Sequence, residues 1–219
     1  MKRPCVFLVA DGTMAQVLKN FLSRGYFEDR LGCRTFGFDF QQDVVVDVRN
    51  GNTDGGIHRR AHALLRPYLP SHQNAVILLD KNFGGRLSAA IVRGEILNNL
   101  LRNGWSAECV EVVVIDPELE TWLWQRGNPH VARGFQYNGP VSLEVFLEAE
   151  GFWSAAALKP TRPKEAARLL LQRYRGGPPM VVYARIIENI SVSGCQDPAF
   201  NLLAAALRRW FPLDPQSYV

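Results

Sequence analysis

The stretch "VVVIDPELETWLW" runs from Val112 to Trp124, and its reading decides the fold. Its first four residues are β-branched and apolar, the composition of a strand buried on both faces. Asp116 and Pro117 then stop the run, and an Asp-Pro pair offers a helix both an N-cap and a first-turn proline. Glu118 and Glu120 follow in the first turn of a helix expected over 117–126, where the helix dipole favours carboxylates. Strand, acidic strand end, helix: the same order occurs twice upstream.

"CVFLVA" (5–10) passes through Asp11 and Gly12 into "TMAQVLKNFLSR" (13–24), where Met14, Val17, Leu18, Phe21 and Leu22 recur at helical spacing before Gly25. "NAVILLD" (74–80) passes through the loop "KNFGG" (81–85) into a helix over 86–104, closed by Gly104. Between these units, "RTFGFDF" (34–40) alternates three phenylalanines and predicts a strand with one buried face. "DVVVDV" (43–48) extends that sheet or forms its edge, "NGNTDGG" (50–56) is a turn cluster, and 57–69 reads as a helix.

This alternation predicts an α/β domain over residues 1–127: three layers, with a mostly parallel sheet covered by helices on both faces. After Gly127 the strand signal stops. Helical patterns at 141–152, 162–174, 179–190 and 197–211 are divided by Pro and Gly clusters. Residues 128–219 therefore read as a helical extension, packed on the sheet or lidding it.

Composition narrows the class. The chain is 47% hydrophobic and 21% charged over 219 residues, enough to bury a real core. A net charge of +4 permits a nucleic-acid partner without requiring one. Cys5, Cys33, Cys109 and Cys195 are too dispersed for a Cys-x-x-Cys zinc site and read as small buried hydrophobes. The apolar run before Asp11 is short for a signal peptide, and no run is long enough to span a membrane, so a cytoplasmic location is expected.

Open α/β sheets bind ligands at the carboxyl ends of their strands. Three predicted strands end there in acid: Asp11, Asp80, and Asp116 with Glu118 and Glu120 just beyond. Carboxylates gathered without a cationic partner repel one another and favour a divalent cation, Mg²⁺ or Mn²⁺. Such a centre can activate water for phosphodiester cleavage. The competing reading makes each acid a helix cap, and the pattern leaves both open.

Other motifs are weaker. His58 and His62 have a spacing that can hold a metal, but "HRRAH" lacks the intervening glutamate of zinc proteases and reads as a solvated helix face. "FGGR" (83–86) could turn helix N–H groups toward a phosphate, yet it is neither a P-loop nor a dinucleotide fingerprint. Lys159, Arg162 and Lys164 surround a Pro-rich turn and fit phosphate-backbone contacts or a solvated face. Trp122 and Trp124 read as core.

In order, "VFLVADGT", "AVILLDKN", "VVVIDPELETWLW", "KPTRPKEAARLL" and "CQDPAFNLLAAALRRWF" resemble a bacterial group of small Toprim-like proteins of antiphage defence loci, in particular a component of methylation-associated defence systems. The resemblance covers nearly the whole chain. A Toprim domain carries a Glu near the end of its first strand and an Asp-x-Asp pair after a later one. Here Asp11 stands in the Glu position, one carbon shorter, and "DKN" supplies Asp80 with Asn82 in the second acidic position.

The resemblance implies a Toprim-like sheet and a Mg²⁺-dependent, nuclease-like protein acting on nucleic acid, with DNA as the expected substrate, among other defence proteins. Asp11, Asp80 and Glu118 would hold the metal, with Asn82 as an outer ligand. Glu120 and Glu118 would serve catalysis, and Lys159, Arg162 and Lys164 would contact phosphates. The alternative is a non-catalytic subunit that docks a partner through its helical part.

Overall fold

Buried apolar strands need partners on both edges, and here they find one another in parallel. The computed structural model describes residues 1–24, 27–47, 53–83, 87–193 and 195–213. The chain runs through β1 (Arg3–Val9), α1 (Gly12–Leu22), the short helices α2 (Phe27–Leu31) and α3 (Phe40–Asp43), and β2 (Val44–Val46). It continues with α4 (Thr53–Leu65), β3 (His72–Asp80), α5 (Ala89–Arg102) and β4 (Val110–Ile115). The helices α6 (Pro129–Gly134), α7 (Leu143–Ala149), α8 (Pro163–Tyr174), α9 (Pro179–Asn189) and α10 (Pro198–Trp210) follow.

The four strands are all parallel in the order β2-β1-β3-β4, so the class is α/β. The chain leaves β1 toward one edge, then crosses back over it to reach β3. That reversal creates a topological switch point between β1 and β3, where the crossover helices diverge at the carboxyl ends of the strands. α1 packs on α9, and α10 lies against β4. Phe21 of α1 meets Phe200 of α10 edge-on at 5.8 Å, which joins these helices in one layer. α4 and α5 pack together on β3 and β4 as the opposite layer, as right-handed crossovers require. Glu111 of β4 is reached from both layers, by Arg93 of α5 at 2.6 Å and Arg209 of α10 at 3.9 Å.

Three local expectations are corrected. Residues 34–39 form an extended segment outside the sheet, and the helix α3 starts at Phe40. Phe36 stacks on Phe211 at 4.1 Å and Phe38 meets Phe7 edge-on, so the alternating rings are buried by ring packing without a ladder partner. The turn expected over 50–56 is helical from Thr53, and residues 50–52 lie outside the described residues. The helix expected over 117–126 is a 3-10 turn, Leu119–Leu123, with Asp116 outside it.

The amino ends of the strands are held by Asp43, which is fully buried. Its carboxylate accepts hydrogen bonds from Arg3 Nε, from Arg3 Nη2 at 2.7 Å, and from the Asp39 backbone N–H at 2.6 Å, with His72 Nε2 at 3.2 Å. Burial alone would raise its pKa, but these donors, Arg3 foremost, hold it below the usual carboxylate range. On the α4 side, Gly56 leaves space for Asp47: a Cβ there would come within 2.6 Å of its Oδ2, which Arg60 holds at 2.6 Å.

Asp43→Ala strands Arg3, His72 and the Asp39 N–H at once, and should lower the unfolding free energy by about 3 kcal/mol in urea titrations at neutral pH. A carboxyl with a depressed folded pKa stabilises above its unfolded pKa and loses that contribution as pH falls through the folded value. The gap between wild type and variant should therefore shrink in acid.

Candidate functional site

At the switch point the ends of β1 and β3 deliver two aspartates side by side. Asp11 follows β1 and caps α1, its Oδ1 accepting from Met14 N–H at 2.8 Å. Asp80 ends β3, and its Oδ1 accepts from Leu119 N–H at 2.8 Å. That N–H is the donor a local cap would have taken, and Asp80 reaches it from a different strand. Asp116 instead forms an exposed ion pair with Lys81, 3.2 Å apart. Cap and site are thus separated at β4, while Asp11 serves as both.

A third aspartate arrives from α4. Asp54 Oδ1 accepts the backbone N–H of Asp80 at 2.8 Å, which ties the first turn of α4 to the end of β3. Burial and the charge of Asp11 raise the Asp54 pKa. Burial, then the charges of Asp54 and Glu120, push Asp80 up to about 8 against an ordinary 3.8. Near neutrality Asp80 therefore keeps its proton, the outcome expected when carboxylates crowd together in a cleft.

The helices beyond residue 127 complete the wall. Glu120 is 7% exposed and accepts from Tyr183 Oη at 3.2 Å. Burial raises the Glu120 pKa, and burial together with Glu120 raises that of Tyr183. Glu118 is 5% exposed and pairs with Lys164 Nζ at 3.4 Å. Partial burial would lower the Lys164 pKa, but Glu120, Glu118 and Asp80 outweigh it and raise it. Asp11, Thr13, Asp80, Glu120, Lys164 and Arg168 line one cavity of about 270 Å³.

The structure thus gathers Asp11, Asp80, Glu118, Glu120 and Lys164, and leaves other candidates outside. Asn82 is exposed and is anchored by its backbone N–H to Pro117 O at 3.2 Å. Lys159 pairs with Asp197 at 3.5 Å, and Arg162 lies over the Phe152 ring while donating to Gly151 O. His58 pairs with Glu95 at 2.7 Å. In "FGGR", residues 84–86 lie outside the described residues. Among the described residues, no three His, Cys, Asp or Glu side chains are grouped closely enough to enclose an ion by themselves. Asp54, Arg168 and Tyr183 were missed from the sequence. Asp54 lies inside the stretch read as a turn, three residues before the helix expected from Ile57, so its place in the first turn of α4 was hidden.

Against family models, curated proteins and solved structures, the chain matches none. No helix among the described residues is long and apolar enough to cross a membrane.

A carboxyl whose folded pKa is raised stabilises the fold fully below its unfolded pKa and loses that contribution as pH climbs through the folded value. Thermal melts should therefore show stability declining between about pH 4 and about pH 8, the interval between the two Asp80 values. Asp80→Asn should flatten that slope and melt higher than wild type above pH 8; an unchanged slope would contradict the crowding.

Tyr183→Phe removes the hydroxyl from Glu120, a buried acceptor, and should cost roughly 1–2 kcal/mol in urea unfolding.

Proposed function

We propose that the chain is a Toprim-like component of a bacterial antiphage defence system that processes nucleic acid by Mg²⁺- or Mn²⁺-dependent phosphodiester cleavage. The observation that supports this most is that Asp11 and Asp80 line one cavity at the switch point, where parallel α/β sheets take their ligands, with Asp54 bound to the Asp80 N–H behind them. Asp11 and Asp80 each commit one oxygen to a backbone N–H, and the other oxygen of each would take the cation, whose charge would displace the Asp80 proton. This donor set suits Mg²⁺, which takes one or two carboxylates, keeps several waters and shares its shell with substrate phosphate. A divalent cation bound there supplies a Lewis acid that stabilises developing phosphate charge and acidifies water.

The chain's own groups divide the remaining work. Asp11 and Asp80 hold the cation, with Asp54 beside them. Glu120, with its raised pKa, takes the proton of the attacking water, since a base poised toward neutrality transfers protons most efficiently. Glu118 positions Lys164, and Lys164 with Arg168 receives a backbone phosphate on the cavity wall. Lys159 and Arg162 extend the same basic segment, as second-line phosphate contacts.

One observation favours a second reading, a non-catalytic subunit. Glu118 and Glu120 already have internal partners in Lys164 and Tyr183. Beside the cavity, Met180 and Val181 are 41% and 47% exposed at the start of α9, an apolar surface a partner protein could cover.

Incubation of the purified chain with plasmid and single-stranded DNA, with Mg²⁺ or Mn²⁺, decides between them. Metal-dependent cleavage should fall by about 100-fold in Asp80→Asn and in Asp54→Asn, while both variants keep their fold. Cleavage that survives both substitutions overturns the assignment. No cleavage, with no metal-dependent rise in melting temperature, selects the docking subunit.

A further inference from the structure

A second, roomier cavity lies across Leu119 from the carboxylates, and its chemistry is the opposite of theirs. It holds about 580 Å³, within the range of small-molecule sites. Its walls are apolar: Met14 and Phe21 of α1, Leu78 of β3, Trp122, Ile187 of α9 and Phe200 of α10. Three cations line it, Arg24, Arg126 and Lys159, and only Arg24 has no carboxylate partner among the described residues. Arg24, just after α1, lines the cavity at 7% exposure. Its Nη1 donates to Ile190 O at 3.3 Å, and its guanidinium lies 4.5 Å from the centre of the Phe21 ring. Its Nε and Nη2 have no hydrogen-bond partner. Among the described residues no carboxylate pairs with it, and burial lowers its pKa only to about 10, so it remains charged at neutral pH.

A buried, unpaired charge is among the most costly features a fold can keep. The other charged groups of this wall, and several of its neutral polar ones, are engaged. Gln125 exchanges hydrogen bonds with Ser191, Arg126 is held by Glu148 and two backbone carbonyls, and Trp122 and Lys159 share Asp197. Trp124, on the same wall and 2% exposed, also has an Nε1 without a partner. The unmet capacity of the buried atoms on this wall is therefore all donor, and its strongest member is cationic. Acceptors bearing negative charge, carried on an apolar body, would satisfy it.

We infer that this cavity binds a small amphipathic anion, a molecule with an aliphatic or aromatic body lying among Met14, Trp122 and Phe200 and one carboxylate or phosphate head received by Arg24. The inference does not require the phosphodiesterase reading, because neither Arg24 nor the side chains of Met14, Trp122 and Phe200 are given a role in cleavage.

Calorimetric titration of the full chain with decanoate, decyl phosphate and decan-1-ol tests it. At least one of the anions should bind about tenfold or more tightly than the alcohol of equal length, and the comparison between the two anions identifies the head group. Arg24→Met should abolish the preference while leaving alcohol binding in place. Leu203→Trp, which fills the cavity from α10, should remove binding of all three. Equal affinity for alcohol and anions, anion preference that persists in Arg24→Met, or no binding of either anion at millimolar concentration overturns the inference. If Arg24→Met does not fold, the wild-type comparison with the alcohol and the Leu203→Trp variant carry the same decision.

Discussion

Asp80 is joined to the chain on both of its sides. Its backbone N–H is held by Asp54 and its side chain holds the Leu119 N–H, so one residue fixes the start of α4 and the start of the segment after β4. Both hydrogen bonds are 2.8 Å long and lie at the end of a central strand whose residues Asn74 to Leu79 are buried. Without them the loops at the switch point would have no common reference. With them, side chains from Asp11, α1, β3, the 119–123 turn, α8 and α9 meet in one small volume, with Asp54 of α4 bound beside it. The cost is electrostatic, because the same geometry packs acids together and leaves Asp80 protonated near neutrality.

The parallel sheet was legible because its strands are short apolar runs, each followed by a helical pattern. Asp11 and Asp80 were legible for the same reason: a strand that ends in acid announces where its carboxyl edge lies. The limits come from distance. "RTFGFDF" has the alternation of a strand, but alternation alone does not supply a ladder partner, and the place beside β1 is taken by β2. The rings found Phe7 and Phe211 instead. Asp116-Pro117 has the signature of a helix start, yet the donor it would cap is claimed by a residue 39 positions away.

Asp54 and Tyr183 show the same limit from the other side. Asp54 lies in a Gly-rich stretch whose local reading is a turn, and its partner, the Asp80 N–H, is brought by the crossover of the chain over β1. Tyr183 belongs to an apolar helix face, where a tyrosine reads as core. Only the packing of α9 beside the 119–123 turn sets its hydroxyl against Glu120. Local pattern reports which residues can do chemistry, and topology decides which of them meet.

Leu119 gives the two cavities a common wall, since its side chain lines both and its N–H is bound to Asp80. Such a wall has a thermodynamic consequence that holds whatever the two occupants are. If filling the apolar side displaces Leu119 and changes the affinity of the acidic side by some factor, filling the acidic side must change the affinity of the apolar side by the same factor. A single leucine would then be the point at which two unlike chemistries, one greasy and cationic, the other wet and anionic, report on each other's occupancy.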